Sequence, residues 1–158
     1  MIQVKRAKYQ SPGQAGQRGF EDLDCFKLAL DVVVNAHELA KCLPAEEKYD
    51  LAVQIRRSSK SVTANIAEGY GRFHYLDSLR YYSIARGELN ETLAHFVNAL
   101  VLEYIEQAYY DEIHALVRKT EATLNGFMNY VRKQRPGATE SSERRIREDI
   151  ETYTIQGE

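Results

Sequence analysis

Apolar residues along this chain recur at spacings of three and four, in four separate stretches. That period places them on one face of an α-helix. The first stretch runs from about Leu23 to Cys42, with Phe26, Leu30, Val33, Val34, His37 and Leu39 on its main stripe. Leu28, Val32 and Ala36 fill a second face, which predicts a well-buried helix or one that also meets another subunit. The second stretch runs from about Ala45 to Glu68 through Leu51, Ile55, Ser58, Ser59, Val62 and Ile66, and its small residues permit close helix approach. Gly69 and Gly71 are placed to stop it. The third starts near Tyr75 to Asp77, with Asp77 as N-cap or first-turn acid. Its core line passes Leu79, Tyr82, Arg86, Leu89, Leu93, Phe96 and Leu100. Gly87, inside this helix, costs roughly 1 kcal/mol against alanine; a close backbone contact would explain it. The fourth spans about Gln107 to Arg135, with Ile113, Leu116, Val117, Thr120, Leu124, Phe127 and Val131 on one stripe.

Pro12, Pro44 and Pro136 all fall outside these stretches. Short connections make sequence neighbours antiparallel. The predicted fold is an all-α, up-down-up-down antiparallel four-helix bundle over residues 20–135. Residues 1–19 are expected to be a flexible basic lead, polar and without the apolar region of a secretory signal. Residues 136–158 are expected to be a flexible charged tail, in which Ser141 to Thr152 could form a short helix. Strand patterns are absent; Val32-Val33-Val34 is too short and too embedded in helical periodicity to count as one.

Polar residues interrupt the apolar pattern in two places. Asn65 and Glu68 share one helix face, and Arg86 and Asn90 share another. The predicted arrangement sets Glu68 opposite Arg86, in a buried hydrogen-bonded network of Asn65, Glu68, Arg86 and Asn90 that fixes helix register. Removing Glu68 would then strand Arg86 at a cost of several kcal/mol.

A net charge of −2 does not announce a nucleic-acid binder, but the charges are unevenly placed. The lead carries Lys5, Arg6, Lys8 and Arg18 and no acid, whereas the first helix is acidic, with Asp24, Asp31 and Glu38. On the second helix Arg56, Arg57 and Lys60 form a basic ridge that Arg72 and Arg80 extend across the following loop. The ridge is either a solvated face paired with Glu46, Glu47 or Asp50, or a phosphate-contacting surface. Tyr70, Phe73, His74, Tyr75, Tyr81 and Tyr82 cluster around the same loop, suiting loop packing, a subunit contact or base stacking.

No nucleophile–base pair, phosphate-binding glycine motif or metal-ligand spacing is visible, so no catalytic residue, cofactor or metal is expected. His37, His74, His95 and His114 are scattered. Cys25 and Cys42 lie far apart on one predicted helix, which disfavours a disulfide and makes reduced cytoplasmic thiols the default. No run of about 18 apolar residues is present, so no membrane span is expected.

These residues also carry a resemblance. Phe20-Glu21-Asp22-Leu23, Leu43-Pro44-Ala45-Glu46-Glu47-Lys48-Tyr49 and Gln54-Ile55-Arg56-Arg57-Ser58 appear in that order. Ala64-Asn65-Ile66-Ala67-Glu68-Gly69, Ile84-Ala85-Arg86-Gly87-Glu88-Leu89 and Leu124-Asn125-Gly126-Phe127 follow. The set resembles the four-helix-bundle family named after 23S rRNA intervening sequences, over roughly Phe20 to Lys133. The resemblance implies a ring-like homo-oligomer, with a pentamer favoured. It also implies kinship with accessory proteins of diversity-generating retroelements, which bind nucleic acid and a reverse transcriptase. Glu88, where the family commonly has a small residue, and the two tails depart from the pattern. The expected function is a non-enzymatic oligomeric scaffold that binds structured RNA or an RNA–protein complex. The alternative is a protein-interaction adaptor with no nucleic-acid role.

Overall fold

In a computed structural model the helical period becomes four long helices, with no strand among the described residues, 2–12 and 19–134. They are α1 (Asp24–Cys42), α2 (Leu51–Tyr70), α3 (Tyr75–Val101) and α4 (Gln107–Gln134). Each helix packs on its sequence neighbours, and α4 returns to α1, closing an all-α four-helix bundle. Arg86 bridges to Asn125 and Asn90 to Glu121, so α3 and α4 run antiparallel. Arg135, the predicted tail 136–158 and its short helix lie outside the described residues.

The second predicted helix is in fact two pieces. Ala45–Tyr49 is a 3₁₀ segment, and α2 begins only at Leu51, because Asp50 leaves the helical region at φ −120° and ψ −105°. The Glu47 side chain accepts the Leu51 N–H at 3.2 Å, satisfying one of the donors that a helix start leaves open. α1 also turns a somewhat different face inward from the predicted stripe. Cys25, Ala29, Val32, Ala36 and Leu39 are fully buried, while Leu30, Val33, Val34 and His37 are only partly so. The core between the helices is filled by Tyr82, Phe96, Ile55, Ile66, Leu89, Ile113 and Leu124. Between α2 and α3 the buried Ser58 and Thr92 hydroxyls meet at 2.9 Å, so small polar residues let the helices approach with their hydrogen bonds satisfied.

The glycines divide by environment. Gly87 meets nothing within 4 Å of an added Cβ, so no close contact among the described residues explains it. The close approach is at Gly69, in the last turn of α2, where a Cβ would lie 2.6 Å from the Tyr82 ring and 3.1 Å from the Ser78 carbonyl. Gly71 caps α2 in a right-handed conformation, φ −77°. α3 is the helix that ends left-handed. Glu103 sits at φ 60°, with Tyr104 N–H donating to the Ala99 carbonyl and Glu103 N–H to Leu100, a Schellman closure without glycine.

The basic lead, predicted to be a free arm, is laid in part along the bundle. The Lys5 N–H donates to Asn35 Oδ1, and Asn35 Nδ2 donates back to the Lys5 carbonyl, both at 2.9 Å. The Ala7 N–H donates to Asp31 Oδ1 at 2.7 Å, and the Arg6 guanidinium reaches Asp31 Oδ2 at 2.9 Å. Lys5 Nζ pairs with Glu38 at 2.6 Å. Ile2 and Val4 pack on the core. The acidic residues of α1 therefore dock the basic segment that precedes it.

Two expectations follow. Gly69→Ala should cost about 1–3 kcal/mol by overpacking, whereas Gly87→Ala should gain up to about 1 kcal/mol in helix propensity; urea denaturation distinguishes them. Asn35→Ala should cost about 1–3 kcal/mol and speed tryptic cleavage at Lys5, Arg6 and Lys8. An unchanged digestion pattern would mean that the arm is held by other contacts.

Candidate nucleic-acid interface

The apolar line Leu51, Ile55, Val62 and Ile66 faces the core, which forces the positively charged residues of α2 outward. Arg57 and Lys60 are exposed and Arg56 is half-buried. No described carboxylate forms a salt bridge with any of the three. Glu47, a candidate partner, is engaged by the Leu51 N–H and by the Tyr104 hydroxyl at 3.0 Å. α1 adds Lys41 and His37 to the same surroundings. Burial first, then the charges of Lys60, Arg56 and Lys41, hold His37 below the ordinary imidazole value. Its Nε2 is buried without a hydrogen-bond partner. Lys41 is bound to Glu38 at 2.7 Å, and hydrogen bonds from Lys41 and Lys5 pull Glu38 down to about 2. The result is an electropositive strip centred on Arg56, Arg57 and Lys60.

Arg72 and Arg80 form a separate group. The α-helical rise puts Tyr70 about 15 Å beyond Lys60, so the predicted ridge is not continuous. Arg72 pairs with Glu68, donates to the Tyr81 hydroxyl at 2.8 Å and lies over the Tyr81 ring at 4.6 Å. The bond to Glu68 raises its pKa. Arg80 is exposed, and Phe73, 92% exposed, stands edge-on to His74 at 5.1 Å. The predicted aromatic cluster is split, because Tyr82 is buried in the core, where it meets Phe127 at 5.2 Å.

Glu68 does not meet Arg86, and the predicted buried network is not one network. Glu68 is an exposed partner of Arg72. Asn65 turns back to its own helix, bonding the Ser61 carbonyl at 2.8 Å and the Ser61 hydroxyl at 3.1 Å. Arg86 and Asn90 lie on the outer seam with α4, where Arg86 meets Asn125 at 3.1 Å. Asn90 there links Glu121 and Arg118. The physical reason is rotation: α3 points Tyr82, Ala85 and Leu89 inward, and that setting carries Arg86 out to solvent.

Sequence reasoning missed Asp31 and Asn35 as docking groups, and Lys41 and His37 as neighbours of the ridge. The one available signal was an Asn inside a broad apolar helix, since a buried amide requires partners. Among the described residues no group of three His, Cys, Asp or Glu side chains could hold a metal ion. No helix among them is long and apolar enough to cross a membrane.

Fold and surface together define a small all-α bundle with a basic helix face that no described carboxylate pairs. The chain belongs to the 23S rRNA-intervening sequence protein family, whose profile matches residues 21–126. Among solved structures it is similar to a protein of unknown function from the S23 ribosomal protein family of Bacteroides thetaiotaomicron VPI-5482. The two share 27% identity with a TM-score of 0.61, over 66% of this chain and 95% of that one. No curated protein matches significantly.

Because Glu68 and Arg72 are exposed, Glu68→Ala should shift the melting temperature by less than about 4 °C. A larger loss would mean that Glu68 has a partner in an assembly.

Proposed function

We propose that the protein is a non-enzymatic helical scaffold that contacts the phosphates of structured RNA through Arg56, Arg57 and Lys60. The observation that carries this reading is the absence of a described carboxylate partner for any of the three. Cations held on a rigid helix without an acid to neutralise them suit a polyanion. His37 and Lys41 add to the field, and Arg72 and Arg80, with Phe73, form a second contact region where a base could stack. The family's name associates it with ribosomal RNA. Assembly of copies into a ring, a pentamer by the family resemblance, would repeat the strip and multiply weak contacts. A cytoplasmic setting with reduced thiols fits this role. DNA, or a reverse transcriptase on a nucleic acid, would use the same surfaces.

A second reading, a protein-interaction adaptor, is favoured by one observation. α3 leaves Leu76, Ile84, Val97 and Val101 exposed. Exposed apolar side chains on the outer side of α3 suit a protein partner or a second copy of the chain.

Fluorescence anisotropy with a structured ribosomal RNA fragment separates the two readings. Wild-type protein should bind, and binding should weaken steeply with salt. Replacing Arg56, Arg57 and Lys60 together by alanine should reduce the log–log salt slope by about 2–3. Burial would still hold the His37 pKa down, but phosphate beside the strip would offset the part of the depression that comes from Lys60, Arg56 and Lys41, so affinity should rise as pH falls. No binding at low salt would make the adaptor the reading to pursue.

A further inference from the structure

The arm docked on α1 runs antiparallel to it. Ile2 and Gln3 line a cavity with Cys42 at the end of α1, and Ala7 and Tyr9 line another with Asp24 and Lys27 near its start. Two buried side chains set the register. Asn35, fully buried, accepts the Lys5 N–H and donates to the Lys5 carbonyl. Asp31, 6% exposed, accepts the Ala7 N–H. Both anchors bind main-chain groups, so Lys5 is placed by its backbone and not only by its own charge.

Charge decides what the arm does to α1. By itself α1 presents Asp24, Asp31 and Glu38 against Lys27 and Lys41 and is net negative. The arm brings Lys5, Arg6 and Lys8 and no acid. Arg6 offsets Asp31. Glu38 is shared by Lys5 and Lys41, and one carboxylate cannot neutralise two ammonium groups, so that triad stays net positive. The two lysine side chains are 54% and 64% exposed. The triad adjoins the strip on α2, because the charges of Lys60, Arg56 and Lys41 converge on His37, the residue before Glu38. With the arm docked, positive charge runs from α2 across α1 to Lys5. With the arm released, Glu38 keeps only Lys41 and Asp31 is uncompensated, so α1 repels a polyanion lying on the strip.

We propose, resting on the RNA-contact reading above, that the docked arm is part of the phosphate-binding surface. Lys5 is a further contact residue, and Asn35 is the positioning residue that holds it there and keeps the acids of α1 covered.

Anisotropy titration of the full chain with the same structured ribosomal RNA fragment tests this. Lys5→Ala, an exposed change that leaves the Asn35 anchor in place, should reduce the log–log salt slope by up to about 1. Asn35→Ala alters no charge, yet should weaken binding roughly threefold or more; where that variant fails to fold, Lys5→Ala carries the test alone. RNA should also shield Lys5 and Lys41 of the wild-type protein from amine acetylation read by mass spectrometry. A wild-type salt slope in Lys5→Ala, unshielded lysines, or tighter binding by Asn35→Ala, as a freed arm reaching the RNA would give, would overturn the proposal. If alanine at Arg56, Arg57 and Lys60 still lowers the slope in that case, the strip itself stands as the contact surface. No binding by the wild-type protein at low salt would overturn both.

Discussion

A buried amide on α1 is the constraint on which much of the surface depends. Asn35 is fully buried, and a side-chain amide removed from water needs its hydrogen bonds met within the protein. Its carbonyl accepts from Lys5, and its amino group serves both Lys5 and Asp31. This pins one stretch of extended backbone against the helix in a single register. Arg6 then reaches Asp31 and Lys5 reaches Glu38. The same docking carries Ile2 and Gln3 to the cavity at the end of α1.

That docking also shapes the electrostatics. The chain is nearly neutral, yet its charges are sorted rather than mixed. Glu38 is engaged by Lys5 and Lys41, so it does not neutralise Arg56 or Lys60 nearby. Glu47 is engaged at the start of α2 and by Tyr104. With those acids occupied, the helix face centred on Arg57 remains positive. Near the α3–α4 loop, Glu103, Glu106 and Glu112 have no described basic neighbour in the cavity that they line. Positive charge is thus gathered on one helix face and negative charge beside the α3–α4 loop.

Much of the fold was legible from the residues. Four stretches of helical period, Pro44 between two of them and the starts of the first, third and fourth helices led to the observed bundle. Where the reading failed, the failures share a cause. A period of three and four identifies a helix but defines its rotation only to within a residue or two. Arg86 sits one position from the buried Ala85, and that single step separates a core network from a surface seam. The same uncertainty assigned the close helix approach to Gly87 instead of Gly69. The break at Asp50 was invisible because propensity does not report a single backbone angle.

Local period and residues near one another in the chain suffice for the helices, their order, the family and the cluster of positive charge on α2. Which of the described charges are neutralised follows from packing. Asn35 and Lys5 lie 30 residues apart, and Tyr104 and Glu47 lie 57 apart. No local pattern encodes such pairings. They arise when packing brings distant groups together and excludes water, and in this protein they set which charges are left on the surface.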